Sequence, residues 1–210
     1  MRRIPVLLLC VGLAGCVSSS GDRSESFINP QVAASYIPLA ASEYVVMEAR
    51  GAAFAIAPGI AVTNAHNANT IPPGSLIGVS KNYDLLFFRT DKQDGATFSE
   101  PSTGEKIISY GQGVSGEVRE AHGAILELEV PVEPRCAGCV VQKAFVYDAK
   151  AGPGFSGGPV VDAENGEIVG ITFGYLDPNS RRVMYAYSIS RVKLEYKEIT
   201  GQPLPGGPEK

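Results

Sequence analysis

The chain opens with two basic residues, Arg2 and Arg3, and an apolar run over residues 4–13 broken only by Pro5 and Gly12. Such a run is about half of the ~20 residues a helix needs to cross a bilayer. A basic start, a short apolar stretch and small residues after it are the pattern of a removed secretory signal, here 1–15. Residues 17–30 are polar and Ser-rich, and they predict a flexible tether over 16–35. From Tyr36 the apolar residues come in short β-type bursts, at 44–49, 52–57, 59–63, 75–79, 85–89, 106–110, 116–119, 124–130, 140–147, 160–161, 168–173 and 183–189. Pro72-Pro73-Gly74, Asp94-Gly95, Asn165-Gly166 and Asp177-Pro178-Asn179 separate them as turns. Asn165-Gly166 predicts a hairpin, because both residues accept positive φ. Short strands at this spacing predict an all-β chain, folded as barrels or a sandwich. Near the end the period changes. Val192, Tyr196 and Ile199 share one helical face, with Ser190 as N-cap and Gly201 as the stop. A helix is expected over about 190–200, and a frayed tail over 202–210.

Composition narrows the picture. With 24 Gly and 15 Pro in 210 residues, the chain is a poor helical bundle. A hydrophobic fraction of 44% against 19% charged is too apolar for a disordered chain. Eighteen Lys plus Arg against 22 Asp plus Glu give a net charge of -4, so phosphate-directed binding of nucleic acid is not expected.

Cysteine usage adds a compartment. Leu13-Ala14-Gly15-Cys16 resembles the lipobox of bacterial lipoproteins, which implies cleavage before Cys16 and lipid on its sulfur. Acyl chains on Cys16 would hold the protein to a membrane without a spanning helix. Val17 follows, with no Asp there, and the resemblance then favours the periplasmic face of a Gram-negative outer membrane. Cys10 leaves with the signal, so Cys136 and Cys139 remain as an even pair in an oxidising compartment. A redox C-x-x-C is expected near a βαβ pattern, and a zinc site needs four ligands. A disulfide closing a hairpin tip is the favoured reading, and neither a metal nor a cofactor is expected.

The chemistry centres on Gly152-Pro153-Gly154-Phe155-Ser156-Gly157-Gly158-Pro159-Val160. A Ser among glycines can stand on a tight turn beside free backbone N–H groups, the setting of a nucleophile next to an oxyanion hole. Such a Ser needs a base, and the two histidines, His66 and His122, both precede it. That order excludes the α/β-hydrolase arrangement of Ser, then acid, then His. A subtilisin order on His66 would need Asp22, which lies in the Ser-rich stretch. His122 stands in a polar turn with no motif around it, although Asp84, Asp91 and Asp94 precede it. The order His66, Asp84, Ser156 remains. Asp91 and Asp94 are weaker choices for the acid.

Three local contexts carry a family resemblance. Val62-Thr63-Asn64-Ala65-His66, Asp84-Leu85-Leu86-Phe87 and Gly154-Phe155-Ser156-Gly157-Gly158-Pro159 resemble the His, Asp and Ser motifs of the trypsin-like (chymotrypsin-fold) serine peptidases. The likeness is greatest to the short bacterial members related to high-temperature-requirement proteases, and covers roughly 40–200. It implies two small antiparallel β-barrels, about 36–115 and 116–190, and a short C-terminal helix. It implies Ser156 as nucleophile, His66 as base, Asp84 as its partner, and the N–H groups of Gly154 and Ser156 as oxyanion hole. It places Lys150 at the base of the primary pocket and Thr172, Phe173, Gly174 and Tyr175 on its wall. A cationic Lys150 argues against cleavage after Lys or Arg; it either attracts an acidic side chain or, the favoured reading, points to solvent, and Phe173 and Tyr175 either narrow the pocket or are ordinary strand aromatics. The expected partners are a peptide or protein substrate and, through lipid, a membrane. The competing expectation is a catalytically silent relative that binds a partner through the same cleft.

Overall fold

The computed structural model of the chain describes residues 20–41, 49–94, 96–133, 140–177 and 182–205. Two antiparallel sheets and two helices account for most of them. The first sheet has five strands, β2 (Tyr36–Ala41), β3 (Ala49–Ala57), β4 (Ile60–Thr63), β5 (Leu76–Val79) and β6 (Leu86–Arg89), in the order β2-β3-β4-β6-β5. The second contains β7 (Lys106–Gln112), β8 (Val118–Val132), β9 (Gln142–Ala149), β10 (Pro159–Asp162), β11 (Ile168–Leu176) and β12 (Val183–Ser188). Their order is β8-β7-β10-β11-β12-β9, and β9 pairs back with β8, so the six close into a barrel. A two-residue strand, β1 (Asp22–Arg23), adds to the outer edge of β8.

Alternation along β3 explains how the sheets meet. Ala52, Phe54 and Ile56 face a core shared with the closed barrel, where Tyr110, Ile171 and Tyr187 lie. Ala53, one residue out of phase, faces Leu39, Ala61, Leu86 and Phe88 within the first sheet. Both faces of β3 are thus covered, and its alanines keep the layers close. The closed barrel has its own filling of Ile107, Ile125, Phe145, Tyr147, Phe155 and Val160. Helix α2 (Ile189–Thr200) buries Val192 and Tyr196 against the shared core.

Several expectations change here. The expected first barrel is a five-stranded sheet among the described residues, and its boundary with the closed barrel lies between β6 and β7, not near residue 115, because β7 pairs with β8 and β10. The two runs at 116–119 and 124–130 merge into the single strand β8. The N-cap of α2 is Ser188, whose hydroxyl accepts the Arg191 N–H, rather than Ser190. The stop at Gly201 is left-handed, φ 71°, as expected for a C-terminal glycine. The hairpin at Asn165-Gly166 joins β10 to β11, with Gly166 at φ 77°.

The largest departure concerns the tether. Residues 20–35 are folded onto the domain as β1 and the helix α1 (Pro30–Ser35). Phe27 packs against the rings of Tyr36 and Tyr110 at 5.1 and 4.8 Å, and Val32 is fully buried. Asn29 caps α1 by accepting the Val32 N–H, and Pro30 stands in the first turn. The serines mask three apolar anchors, Phe27, Ile28 and Val32, in a short segment. Residues 1–19, including Cys16, and the pair Cys136 and Cys139 lie outside the described residues, as does most of the run at 44–49. Among the described residues, no helix is long and apolar enough to cross a membrane.

Candidate active site

His66 sits in a 3₁₀ turn, Ala65–Thr70, that leaves the end of β4. Asp84 ends the connection from β5 to β6, and β6 lies beside β4, so the two residues meet although 18 positions separate them. His66 Nδ1 stands 2.6 Å from Asp84 Oδ2. The second carboxylate oxygen, Oδ1, accepts the backbone N–H of His66 at 3.1 Å. The amide of Asn64 donates to the Asp84 carbonyl at 3.0 Å. The carboxylate therefore holds both the ring and the main chain of His66, which fixes the ring's orientation. With Nδ1 turned to the carboxylate, Nε2 is left for other chemistry. The imidazole is 41% exposed and the Asp84 side chain 19%, so the pair is open to solvent on the histidine side.

The Ser156 turn is held from both sheets. Its carbonyl accepts the Ala52 N–H of β3 at 2.9 Å and the side-chain amide of Asn67 at 3.2 Å. Asn67 belongs to the same 3₁₀ turn as His66, so these bonds seat Ser156 against the His66 turn. Asn67 also donates to the Thr63 hydroxyl, which donates to the Ala52 carbonyl. Glycine is required here at two positions. Gly154 and Gly157 have φ of 90° and 81°, and a Cβ at Gly157 would run into the Ala52 carbonyl and the Thr63 hydroxyl.

Most polar groups of this turn are spent on holding it. The Gly154 carbonyl accepts from Gln112 N–H at 2.9 Å, the Gly157 N–H donates to Thr172 at 2.8 Å, and the Gly158 N–H to Phe155 at 2.9 Å. Among the described residues, the N–H groups of Gly154 and Ser156 donate to no acceptor. Phe155 points the other way, fully buried in the closed barrel.

The other predicted residues divide. Thr172 is buried, and its hydroxyl lies 2.7 Å from that of Tyr147 and 3.2 Å from that of Ser109, so its side chain serves the barrel interior. Phe173 stacks on Tyr187 with centroids 3.9 Å apart. Gly174 is half-buried and Tyr175 exposed, with the Arg182 guanidinium 4.5 Å over its ring. Lys150 is exposed, and its carbonyl accepts the Gly21 N–H at 2.7 Å. His122 is exposed beside Glu120 at 3.2 Å, and Asp91 and Asp94 are exposed, away from His66. Asn67, Thr63 and Tyr187 are the residues sequence reasoning missed. Only Thr63 lay inside a quoted motif; Asn67 follows His66 by one residue, and Tyr187 carries no local signal.

Comparison with known proteins matches this architecture. A family model described as a trypsin-like peptidase domain matches residues 42–171. The Rv3671c protease of M. tuberculosis in its active form is similar in structure, with a TM-score of 0.69 and 21% identity over 89% of this chain and 92% of that one. The HtrA-type protease AlgW with a tripeptide gives 0.64 and 19% over 82% and 62%. The MamO protease domain from Magnetospirillum magneticum gives 0.59 and 14% over 78% and 96%. A comparison with curated proteins finds no match. At these identities the solved structures speak for the fold, and the family model speaks for descent. The chain belongs to the trypsin-like peptidase family and has the chymotrypsin-like fold of its serine proteases.

Proposed function

We propose that this chain is a serine endopeptidase that cleaves peptide bonds through an acyl-enzyme on Ser156. The observation that carries the reading is the 2.6 Å contact of His66 Nδ1 with Asp84 Oδ2, reinforced by the His66 N–H on Oδ1. Ser156 Oγ attacks the substrate carbonyl as His66 Nε2 takes its proton. His66 then returns the proton to the leaving amine, and water repeats the cycle to release the acyl group. Asp84 keeps the histidine in the required tautomer and stabilises the imidazolium. The N–H groups of Gly154 and Ser156, free of other acceptors, serve the developing oxyanion. Such donors contribute about 3–4 kcal/mol each to transition-state stabilisation. Peptide substrate lies along the Thr172–Tyr175 segment, with Lys150 near the primary pocket and no cofactor needed. Cys16 carries the lipid anchor, on the periplasmic face of the outer membrane, and Cys136 pairs with Cys139.

Fluorophosphonate labelling read by intact mass tests the chemistry. One adduct on the wild type, lost in Ser156→Ala, is the expected result. No adduct on the wild type, or an undiminished adduct on the variant, overturns the assignment and leaves a silent binding relative. A soluble mature protein with a free Cys16 thiol overturns the anchor.

A further inference from the structure

The connection from β5 to β6 that delivers Asp84 is short, and β5 and β6 have four residues each. Within it the Ser80 N–H donates to Leu85 at 2.9 Å and the Leu85 N–H to Tyr83 at 2.8 Å, and from its own side of the molecule Asn64 donates to the Asp84 carbonyl and the His66 N–H to the Asp84 carboxylate. Further support comes from the closed barrel and α2. Gln142, at the start of β9, donates its amide to the Asn82 carbonyl at 2.6 Å. The Gln142 carbonyl oxygen accepts the Tyr187 hydroxyl, also at 2.6 Å. That hydroxyl in turn accepts the Asp84 N–H at 3.4 Å. The bonds close a ring through the backbone of residues 82–84. From α2, the buried Glu195 carboxylate accepts the Ser80 hydroxyl at 2.6 Å, and the Ser80 oxygen accepts the N–H groups of Asn82 and Tyr83. Ser80 thereby uses its one donor and both acceptor positions.

Tyr187 is well suited to hold a position. It is fully buried, its ring is stacked on Phe173 with 7° between the planes, and it meets the edge of Tyr83 at 5.2 Å. A ring clamped on two sides carries its hydroxyl to one place, and linked hydrogen bonds in a buried setting strengthen one another.

We propose that Tyr187 and Gln142 are positioning residues for Asp84, acting across the interface between the two sheets to hold its carboxylate on His66. The inference rests on the peptidase reading above and adds to it the parts of the second barrel on which the acid depends. Both act through the backbone of residues 82–84.

The test is the rate of fluorophosphonate labelling of Ser156 in Tyr187→Phe, Gln142→Ala, Asp84→Asn and the Asp84→Asn/Tyr187→Phe double variant. Tyr187→Phe is expected to lower the limiting labelling rate about tenfold, the scale of one net hydrogen bond lost at an ordered site. The half-saturating probe concentration stays as in the wild type. In the Asp84→Asn background the same change should alter the rate by less than about twofold, because its route of action is gone. Gln142→Ala, at a half-exposed position, provides a variant with little effect on folding, and is expected to fall in the same direction. Wild-type rates in both single variants overturn the inference, and so does an equal fractional loss with and without Asp84, which marks a merely structural role. A wild type that takes no adduct overturns the peptidase reading itself, and this inference with it.

Discussion

Phe155→Ala probes the seating of the nucleophile turn from the inside. Phe155 immediately precedes Ser156, and its ring is wholly buried among Ile107, Tyr147 and Val160. Gly21 and Gly111 lie against the ring, leaving no room for a side chain at either. A phenyl group buries on the order of 200 Å², worth about 5 kcal/mol at ~25 cal/mol per Å². The β-carbon that remains and partial collapse of the hole set the expected cost at about 3–5 kcal/mol. In a domain of this size each kcal/mol lowers Tm by about 2–4 °C, so a fall of about 6–20 °C is expected by calorimetry. The hole would be apolar and dry, so benzene in the buffer should recover part of the loss. Labelling of Ser156, measured well below the variant's Tm, should also slow, because the Gly154 and Ser156 N–H groups flank the missing ring. A Tm loss under about 3 °C with labelling at the wild-type rate would refute the idea that Phe155 anchors the turn.

Two further outcomes follow from other groups. Burial pushes the hydroxyls of Tyr110 and Tyr147 up to about 12, with the Ile28 N–H on the first and the Ser109 and Thr172 hydroxyls on the second partly opposing the rise. Burial raises Tyr36 as well. The unfolded chain releases these protons near pH 10, so this contribution to stability is complete below about pH 10 and is lost as pH climbs towards about 12. Urea midpoints should therefore drop between about pH 10 and 12, and a flat profile there would contradict the burial argument. Asn29→Ala removes the cap bond to Val32, 2.8 Å, and the bond to the Gly166 carbonyl, 2.9 Å. It should cost about 1–2 kcal/mol in urea unfolding, whereas an undocked segment would show no change.

The parts of the site that could be read from sequence are those where chemistry and neighbours coincide. His66, Asp84 and Ser156 each sit in a motif a few residues long, and the order of His and Ser alone excludes the α/β-hydrolase arrangement. The supports were not legible, because they join residues 45 to 115 positions apart. Nothing around Tyr187 distinguishes it from an ordinary strand aromatic until the fold sets its hydroxyl beside Asp84. The segment over 20–35 reads as a tether because its serine content outweighs Phe27, Ile28 and Val32. Asn29-Pro30 is an N-cap followed by a first-turn proline, and that local signal would have found α1. The barrel boundary was misplaced for another reason. A strand's composition does not say which neighbours it will pair with, and β7 reads the same in either sheet.

The docked N-terminal segment changes what a lipid on Cys16 would mean. Gly21 gives its N–H to Lys150 and its carbonyl to Arg119, and it lies against Phe155. From Cys16 to Ser20 there are four residue steps, and an extended chain spans at most ~3.6 Å per step. The leash is therefore about 14 Å long at full stretch, roughly half the ~30 Å hydrocarbon thickness of the bilayer it would be fixed to. Ser20, where the described chain begins, lies against Gly152, close to the Ser156 turn. An enzyme moored so closely would not sweep the compartment for substrates. Its territory would be a thin layer at the lipid surface, and a polypeptide would have to come to that layer to be cut.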